Sequence, residues 1–124
     1  MITINKGVTN STIFTLTEKS TLPTPNYLFS FTNDNSGVNT LFNMVDTSAY
    51  PRRYNGFDLV ETSVTNPSLG QVDLEYGWGT YEVYEAVTAT LSVSGTTGLV
   101  LEEGKYFVSG YPVNYSSEID NIYL

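Results

Sequence analysis

Apolar residues in this chain recur at every second position rather than at the spacing of a helix. In the clearest run, Tyr27, Phe29 and Phe31 are separated by Leu28 and Ser30. Such alternation predicts β-strands, and the β-branched and aromatic residues of these runs favour strands as well. No segment shows a convincing helical stripe of apolar residues. The pattern therefore predicts an all-β protein.

Clusters of proline, asparagine and glycine divide the chain into short segments, as in a β-sandwich. The predicted strands cover residues 2–5, 12–18, 26–33, 40–45, 56–63, 70–75, 80–92 and 99–109. We expect one domain over residues 1–110, followed by a carboxyl-terminal tail over residues 111–124. The predicted fold is an immunoglobulin-like antiparallel β-sandwich of seven to eight strands without a disulfide.

The segment around Gly79, Tyr81 and Val83 gives the most specific local prediction. In immunoglobulin-like sandwiches, a tyrosine near the start of the sixth strand turns its hydroxyl onto the backbone of the preceding corner. The glycine two residues before Tyr81 fits such a tyrosine corner. Val83 then stands where antibody domains carry their second cysteine, so packing alone would close the sandwich.

The last long predicted strand contains Glu102, Glu103 and Gly104. A glycine inside a strand most simply marks a bulge or a tight hairpin. Adjacent residues in an extended strand point to opposite faces, which argues against Glu102 and Glu103 acting together as an acid and a base.

The composition excludes several classes of catalytic and metal-binding site. The 124 residues contain no histidine and no cysteine, which excludes a Ser-His-Asp triad, a thiol nucleophile, a zinc–thiolate site and a disulfide. Only 15% of the residues are charged, and the polar remainder is rich in threonine, serine and asparagine. This neutral polar surface suits contacts with a protein or, alternatively, with a glycan.

The formal net charge of -8 makes a nucleic-acid partner a poor expectation. Ten of the 13 acidic residues follow Arg53, and Arg52-Arg53 is the single basic pair. This pair is a candidate to hold a carboxylate of a partner or of the chain's own strands. The amino terminus lacks the apolar region of a secretory signal, and no run approaches the about 18 apolar residues of a membrane span. We expect a soluble protein made in the cytoplasm.

Acidic and amide residues offer two further hypotheses, which we weigh against plain surface roles. Paired carboxylates suit glycoside hydrolysis, and the candidates are Asp73 with Glu75 and Glu82 with Glu85. Oxygen ligands suit calcium, and the candidates are Asn33-Asp34-Asn35 with Asp46 or Asp120. Solvated strand edges and a turn explain these residues more simply. We therefore expect a protein that is not an enzyme and holds no cofactor or metal.

The tail carries apolar residues that suit contact with another surface. Such a segment either packs on its own domain or adds to a sheet edge of a partner, and the sequence leaves both readings open. The candidate contact residues are Tyr111, Tyr115, Ile119, Ile122, Tyr123 and Leu124.

A resemblance emerges from the order of several motifs along the chain. They are Leu16-Thr17-Glu18, Tyr27-Leu28-Phe29, Arg53-Tyr54-Asn55, Gly79-x-Tyr81-x-Val83-Tyr84-Glu85, Leu101-Glu102-x-Gly104 and Asn121-Ile122-Tyr123. In this pattern the chain resembles small virion proteins of tailed phages that infect Bacteroidetes-type hosts, crAss-like phages included. The resemblance implies an immunoglobulin-like sandwich located in the virion, as an auxiliary capsid or decoration protein, a head-fibre-seating protein or a tail adaptor. The implied partners are the major capsid protein, other virion proteins or a second copy, and the resemblance supplies no catalytic residue.

Glycan binding is the alternative function. Exposed aromatic rings and neutral hydroxyl or amide groups are the usual means by which β-sandwiches hold sugars. The candidate platform consists of Tyr76, Trp78 and Tyr84, with Tyr81 and Tyr111 as further rings.

Overall fold

The structure is a computed structural model that describes residues 1–23, 25–49 and 54–109. Within these ranges the predicted all-β fold is confirmed: eight strands are joined by loops and three short 3-10 turns. The candidate contact residues Arg52 and Arg53, the tail beyond Ser109 and the proposed ligand Asp120 lie outside the described residues. The strands are β1 (Ile2–Asn5), β2 (Thr9–Phe14), β3 (Asn26–Asn33), β4 (Asn39–Asn43), β5 (Asn55–Glu61), β6 (Gln71–Val72), β7 (Gly77–Ala86) and β8 (Val100–Ser109).

The strands form two sheets, with the orders β1-β8-β7-β3-β4 and β2-β5-β6. Both sheets are mixed, because β1 pairs in parallel with β8 and β5 pairs in parallel with β6. The prediction of a purely antiparallel sandwich was therefore wrong. Strand β1 lies beside β8 at a sheet edge. No local turn signal in the sequence predicts this long-range pairing.

Buried aromatic rings join the two sheets. Phe14 of β2 and Phe57 of β5 lie in the three-stranded sheet, and both contact Phe29 of β3 in the five-stranded sheet, with ring centroids 5.5 and 5.0 Å away. All three side chains are at most 2% exposed. Burial of each such ring contributes about 1.5–3 kcal/mol, so this cluster is a main source of the cohesion between the sheets.

Two glycines of the β7–β8 pair make room for two tyrosine rings. Gly79 lies opposite Tyr106, and Tyr81 lies opposite Gly104. A Cβ atom on Gly79 would come within 2.2 Å of the Tyr106 ring, and one on Gly104 within 2.9 Å of the Tyr81 hydroxyl oxygen. The two cross-strand pairs are thus reciprocal, with each ring lying over the glycine of the neighbouring strand.

This arrangement corrects the prediction for Gly104. No hairpin forms there, because β8 runs without interruption from Val100 to Ser109. The pairing shifts instead where Val83 and Tyr84 of β7 pair with Glu102 and Val100, so the extra residue is Leu101 of β8. Position 104 requires glycine because the Tyr81 ring fills the space that a Cβ atom would occupy.

Candidate functional site

The predicted corner residues Gly79, Tyr81 and Val83 all lie on β7 and point into the core. The Tyr81 hydroxyl donates to Glu102 Oε2 at 2.9 Å, so the expected bond to the backbone of the corner is not the one it makes. Burial and this carboxylate raise the pKa of Tyr81. Val83 is fully buried, and the chain has no cysteine to form a disulfide at this position. These residues therefore have a packing role in the described structure.

The members of each candidate carboxylate pair have different hydrogen-bond partners or burial. Glu82 lies on the solvent side of β7 and accepts a hydrogen bond from the Tyr84 hydroxyl at 2.6 Å, whereas Glu85 is fully buried. Asp73 accepts from Lys6 Nζ at 2.9 Å, while Glu75 accepts from a serine hydroxyl in another loop. Asp73 and Glu75 thus bond to different parts of the chain, and Glu82 and Glu85 differ in burial.

Glu85 is a buried carboxylate that holds the loop before β3. Its Oε1 accepts from the backbone N–H of Thr21 at 2.9 Å and from the Ser20 hydroxyl at 2.8 Å, and its Oε2 accepts from the Thr21 hydroxyl. A longer bond from Leu22 N–H, at 3.3 Å, completes the set. Burial opposes ionisation, but the hydrogen bonds outweigh it and lower the pKa of Glu85.

A second buried polar group links three parts of the chain. The side chain of Asn55, which is 1% exposed, accepts from the Leu16 and Thr17 N–H groups and donates to Asp46 Oδ2 at 2.7 Å. Asp46 also accepts from the N–H groups of Ser48 and Gly56. Burial opposes ionisation of Asp46, but these hydrogen bonds outweigh it and lower the pKa of Asp46.

The candidate calcium ligands Asn33, Asp34 and Asp46 already bond to other groups of the chain. The Asn33 side-chain oxygen accepts from the N–H groups of Asn35 and Ser36, each at 2.9 Å, and so closes a turn. Asp34 forms a salt bridge with Lys105, and Asp46 belongs to the Asn55 cluster. Within the described ranges, no group of three or more acidic side chains is placed to hold a metal ion.

The three aromatic residues of the proposed glycan platform occupy separate places. Trp78 and Tyr84 share the outer face, by which we mean the side of the five-stranded sheet turned away from the core. They are six residues apart, or about 20 Å along the strand. Tyr76 precedes β7 and lies beside Lys6, whose Nζ is 5.2 Å from the ring centroid. No single platform is formed by these three rings.

Trp78 has a different aromatic partner. It lies directly opposite Phe107 of β8, with ring centroids 5.0 Å apart, and Trp78 is 48% exposed. Thr80 of β7 lies opposite Lys105 of β8, and both side chains contact Asp34. The rings of Trp78 and Phe107, which we call the aromatic pair, therefore present an apolar surface on a rigid strand beside a charged group.

A groove lies at the β1–β2 turn, and we call it the Lys6 groove. Its volume is about 570 Å³. Lys6 donates to Glu61 Oε2 at 2.6 Å, to Asp73 Oδ1 at 2.9 Å and to the Leu74 carbonyl at 2.7 Å. Glu61 is 3% exposed and also accepts from the N–H groups of Gly7 and Leu74. Despite partial burial, these acidic partners raise the pKa of Lys6.

Polar side chains surround the mouth of this groove. Tyr76 is 50% exposed and the Asp73 side chain is 54% exposed. The groove is lined by Lys6, Gly7, Val8, Thr9, Val60, Glu61, Thr62, Ser63, Asp73 and Tyr76. Lys6, Glu61 and Phe107 were not predicted from the sequence as site residues. Lys6 and Glu61 are 55 positions apart, and no local pattern connects them; the strand alternation around Phe107 was the one available signal.

Comparisons with protein-family models, with curated proteins and with solved structures found no match. Among the residues that the structure describes, no helix has the length and apolar character needed to cross a membrane.

Proposed function

We propose that this protein is a structural component of a tailed-phage particle and acts by docking on other virion proteins. The role would be that of an auxiliary capsid or decoration protein or of a head-fibre-seating protein, with a tail adaptor as a variant of the same activity. The observation that carries the proposal is the aromatic pair on the outer face, in which Trp78 is 48% exposed and Phe107 is partly exposed. The resemblance in sequence supplies the phage context.

The aromatic pair has the properties of an anchor for a protein partner. Tryptophan is among the residues most enriched at the energetic centres of interfaces, since it buries a large area with few rotatable bonds. Trp78 and Phe107 are held on paired strands, so little conformational freedom remains to be lost on binding. Repetition of the protein on a symmetric particle would add avidity to each contact.

Three acidic groups that bond within the chain support association rather than chemistry. Glu85 holds residues 20–22, Asp46 holds Asn55, and Glu61 holds Lys6. Each carboxylate satisfies donors of its own chain and thereby fixes a loop. We infer that these groups keep the surface rigid for docking.

We also propose that the fold is a variant of the immunoglobulin-like sandwich. The order β8-β7-β3-β4 corresponds to the G, F, C and C′ strands of variable-type domains, and the pairing of β2 with β5 corresponds to B and E. Strand β6 departs from that scheme, since it follows β5 and pairs with it in parallel. An experimental structure with the chain path traced through residues 44–72 would test this correspondence.

Particle binding is the direct test of the docking function. Labelled protein would be mixed with phage particles that lack it, and the bound fraction would be measured after gradient sedimentation. We expect the Trp78→Ala/Phe107→Ala variant to bind at least about tenfold more weakly. Ile13→Ala, which truncates an exposed apolar residue on the other sheet, is the matched control and should bind normally.

Two results would overturn the proposal. The first is absence of the protein from gradient-purified particles of the phage that encodes it. The second is unchanged binding of the double variant, provided that its melting temperature shows a folded protein. A cryo-electron microscopy map of the particle would then assign the copy number and the position on head or tail.

A further inference from the structure

We propose that the Lys6 groove binds a neutral saccharide. This activity goes beyond docking on a virion and does not rest on it, because the groove and the aromatic pair use different residues. The groove combines a half-exposed aromatic ring, an exposed carboxylate and several hydroxyl groups around one concavity of about 570 Å³. Sites of this kind place a few fixed polar groups beside an apolar surface.

The bonding of Lys6 argues against an anionic ligand. A lysine ammonium has three N–H donors, and those of Lys6 are directed to Glu61, Asp73 and the Leu74 carbonyl. No donor of this group remains for a phosphate, a sulfate or a uronic acid. The two carboxylates that face the ammonium would also repel a negative charge. The positive charge of Lys6 is thus neutralised within the protein.

The polar groups at the mouth of the groove match sugar hydroxyls. Asp73 uses Oδ1 for Lys6, and its half-exposed carboxylate retains capacity to accept from a ligand. Thr62 accepts from the N–H group of Val64 at 3.2 Å, which leaves its own O–H available as a donor. Thr9 and Ser63 are exposed and line the same wall. A sugar hydroxyl both donates and accepts, so it can bond to all of these groups.

Tyr76 supplies the apolar surface that a sugar ring needs. Its side chain is large, keeps half of its surface exposed and stands at the rim of the groove. Its backbone carbonyl accepts from the Asn33 side chain at 3.2 Å, which fixes the position of the residue. The C–H face of a pyranose packs on such a ring, while its hydroxyls reach the polar wall.

The test begins with an array of neutral and anionic oligosaccharides and continues with nuclear magnetic resonance titrations. Maltose, cellobiose and lactose would be added to isotopically labelled protein at millimolar concentrations. We expect shifts of the backbone amide signals of Gly7, Thr62 and Ser63. The Tyr76→Ala variant should bind the same sugar about tenfold more weakly, whereas Tyr76→Phe should retain binding because it keeps the ring.

Trp78→Ala is the matched control, since it removes an equally exposed aromatic residue outside the groove and should leave sugar binding unchanged. A spectrum with the signal dispersion of the unchanged protein establishes that Tyr76→Ala is folded. The inference is overturned by an array without neutral glycan binding, by selective binding of anionic glycans, or by shifts that follow Trp78 instead of Tyr76. Particle binding is measured separately, so the docking function and the saccharide site fail independently.

Discussion

Replacement of Gly79 by alanine tests whether the reciprocal tyrosine–glycine pairs determine the packing of β7 on β8. The new Cβ would lie 2.2 Å from Tyr106 Cζ, whereas ordinary van der Waals contact begins at 3.4 Å. The ring would therefore have to move by about 1.2 Å, the difference between these two distances. Tyr106 is 2% exposed and its ring centroid is 4.6 Å from that of Phe31, so the core offers no adjacent space.

The expected loss of unfolding free energy is about 2 kcal/mol. Overpacking of a core costs about 1–3 kcal/mol, and complete expulsion of an aromatic ring costs about 3–5 kcal/mol. Alanine also restricts the unfolded chain more than glycine does, which returns about 0.4–1 kcal/mol. The net effect is a large share of the 5–15 kcal/mol that stabilises a typical domain.

Two further glycines provide a graded comparison. At Gly104 the nearest atom to an added Cβ is 2.9 Å away, and at Gly56 of β5 it is 3.8 Å away. We therefore expect Gly79→Ala to be more destabilising than Gly104→Ala, and Gly56→Ala to be neutral or slightly stabilising. Urea unfolding followed by circular dichroism gives each free energy from the midpoint and the slope.

A double-mutant cycle isolates the contact itself. If the Tyr106 ring is the obstacle, Gly79→Ala should cost much less in a Tyr106→Ala background than in the unchanged protein. The coupling expected for residues in contact is about 0.5–3 kcal/mol. Equal stability of Gly79→Ala and the unchanged protein, or strict additivity in the cycle, would refute the reasoning.

Three further predictions concern ionisable groups. The pKa values of Asp46 and Glu85 are lowered in the folded protein, so the unfolded chain takes up protons first as the pH falls. The unfolding free energy should therefore decrease as the pH is lowered from about 5. A free energy that stays constant down to about pH 3 in urea titrations would contradict this. Glu85→Gln keeps an oxygen acceptor and should weaken this acid dependence. Glu85→Ala removes the acceptor of several partly buried donors and should cost about 1–3 kcal/mol, measured by the same titrations. Hydrogen bonding to Glu82 and burial raise the pKa of Tyr84 to about 12, and burial does the same for Tyr106. Their phenolate absorbance should therefore appear later than that of exposed tyrosines, and the associated stability should be lost as the pH rises from about 10 to 12; titration of all tyrosines together near pH 10 would contradict this.

Strand positions followed closely from the sequence because strand periodicity is a local signal. Alternation in the Tyr27 region predicted β3 with its observed bounds, Asn26–Asn33, and Ile2–Asn5 was predicted equally well. Bounds were less accurate where the chain leaves a sheet without a strong turn signal. The sixth predicted strand, 70–75, contains only the two residues Gln71–Val72 in strand conformation, because Asp73 and Leu74 contact Lys6 instead.

The candidate site was much less predictable. The aromatic residues Tyr76, Trp78 and Tyr84 were identified by type, but the strand carries the last two about 20 Å apart along one face. The sequence identified Gly104 as an unusual residue within a strand, but the reason for a glycine there is the Tyr81 ring on the neighbouring strand. In each case the missing information was the identity of the cross-strand neighbour.

By itself, the sequence determined the all-β class, the positions of most strands and the classes of chemistry that lack of histidine and cysteine excludes. These properties depend on composition and on neighbours within a few residues. Only the tertiary structure decided the parallel pairing of β1 with β8, the aromatic pair and the Lys6 groove. The physical reason is that these contacts join residues far apart in the chain, and their geometry is fixed by sheet register and core packing.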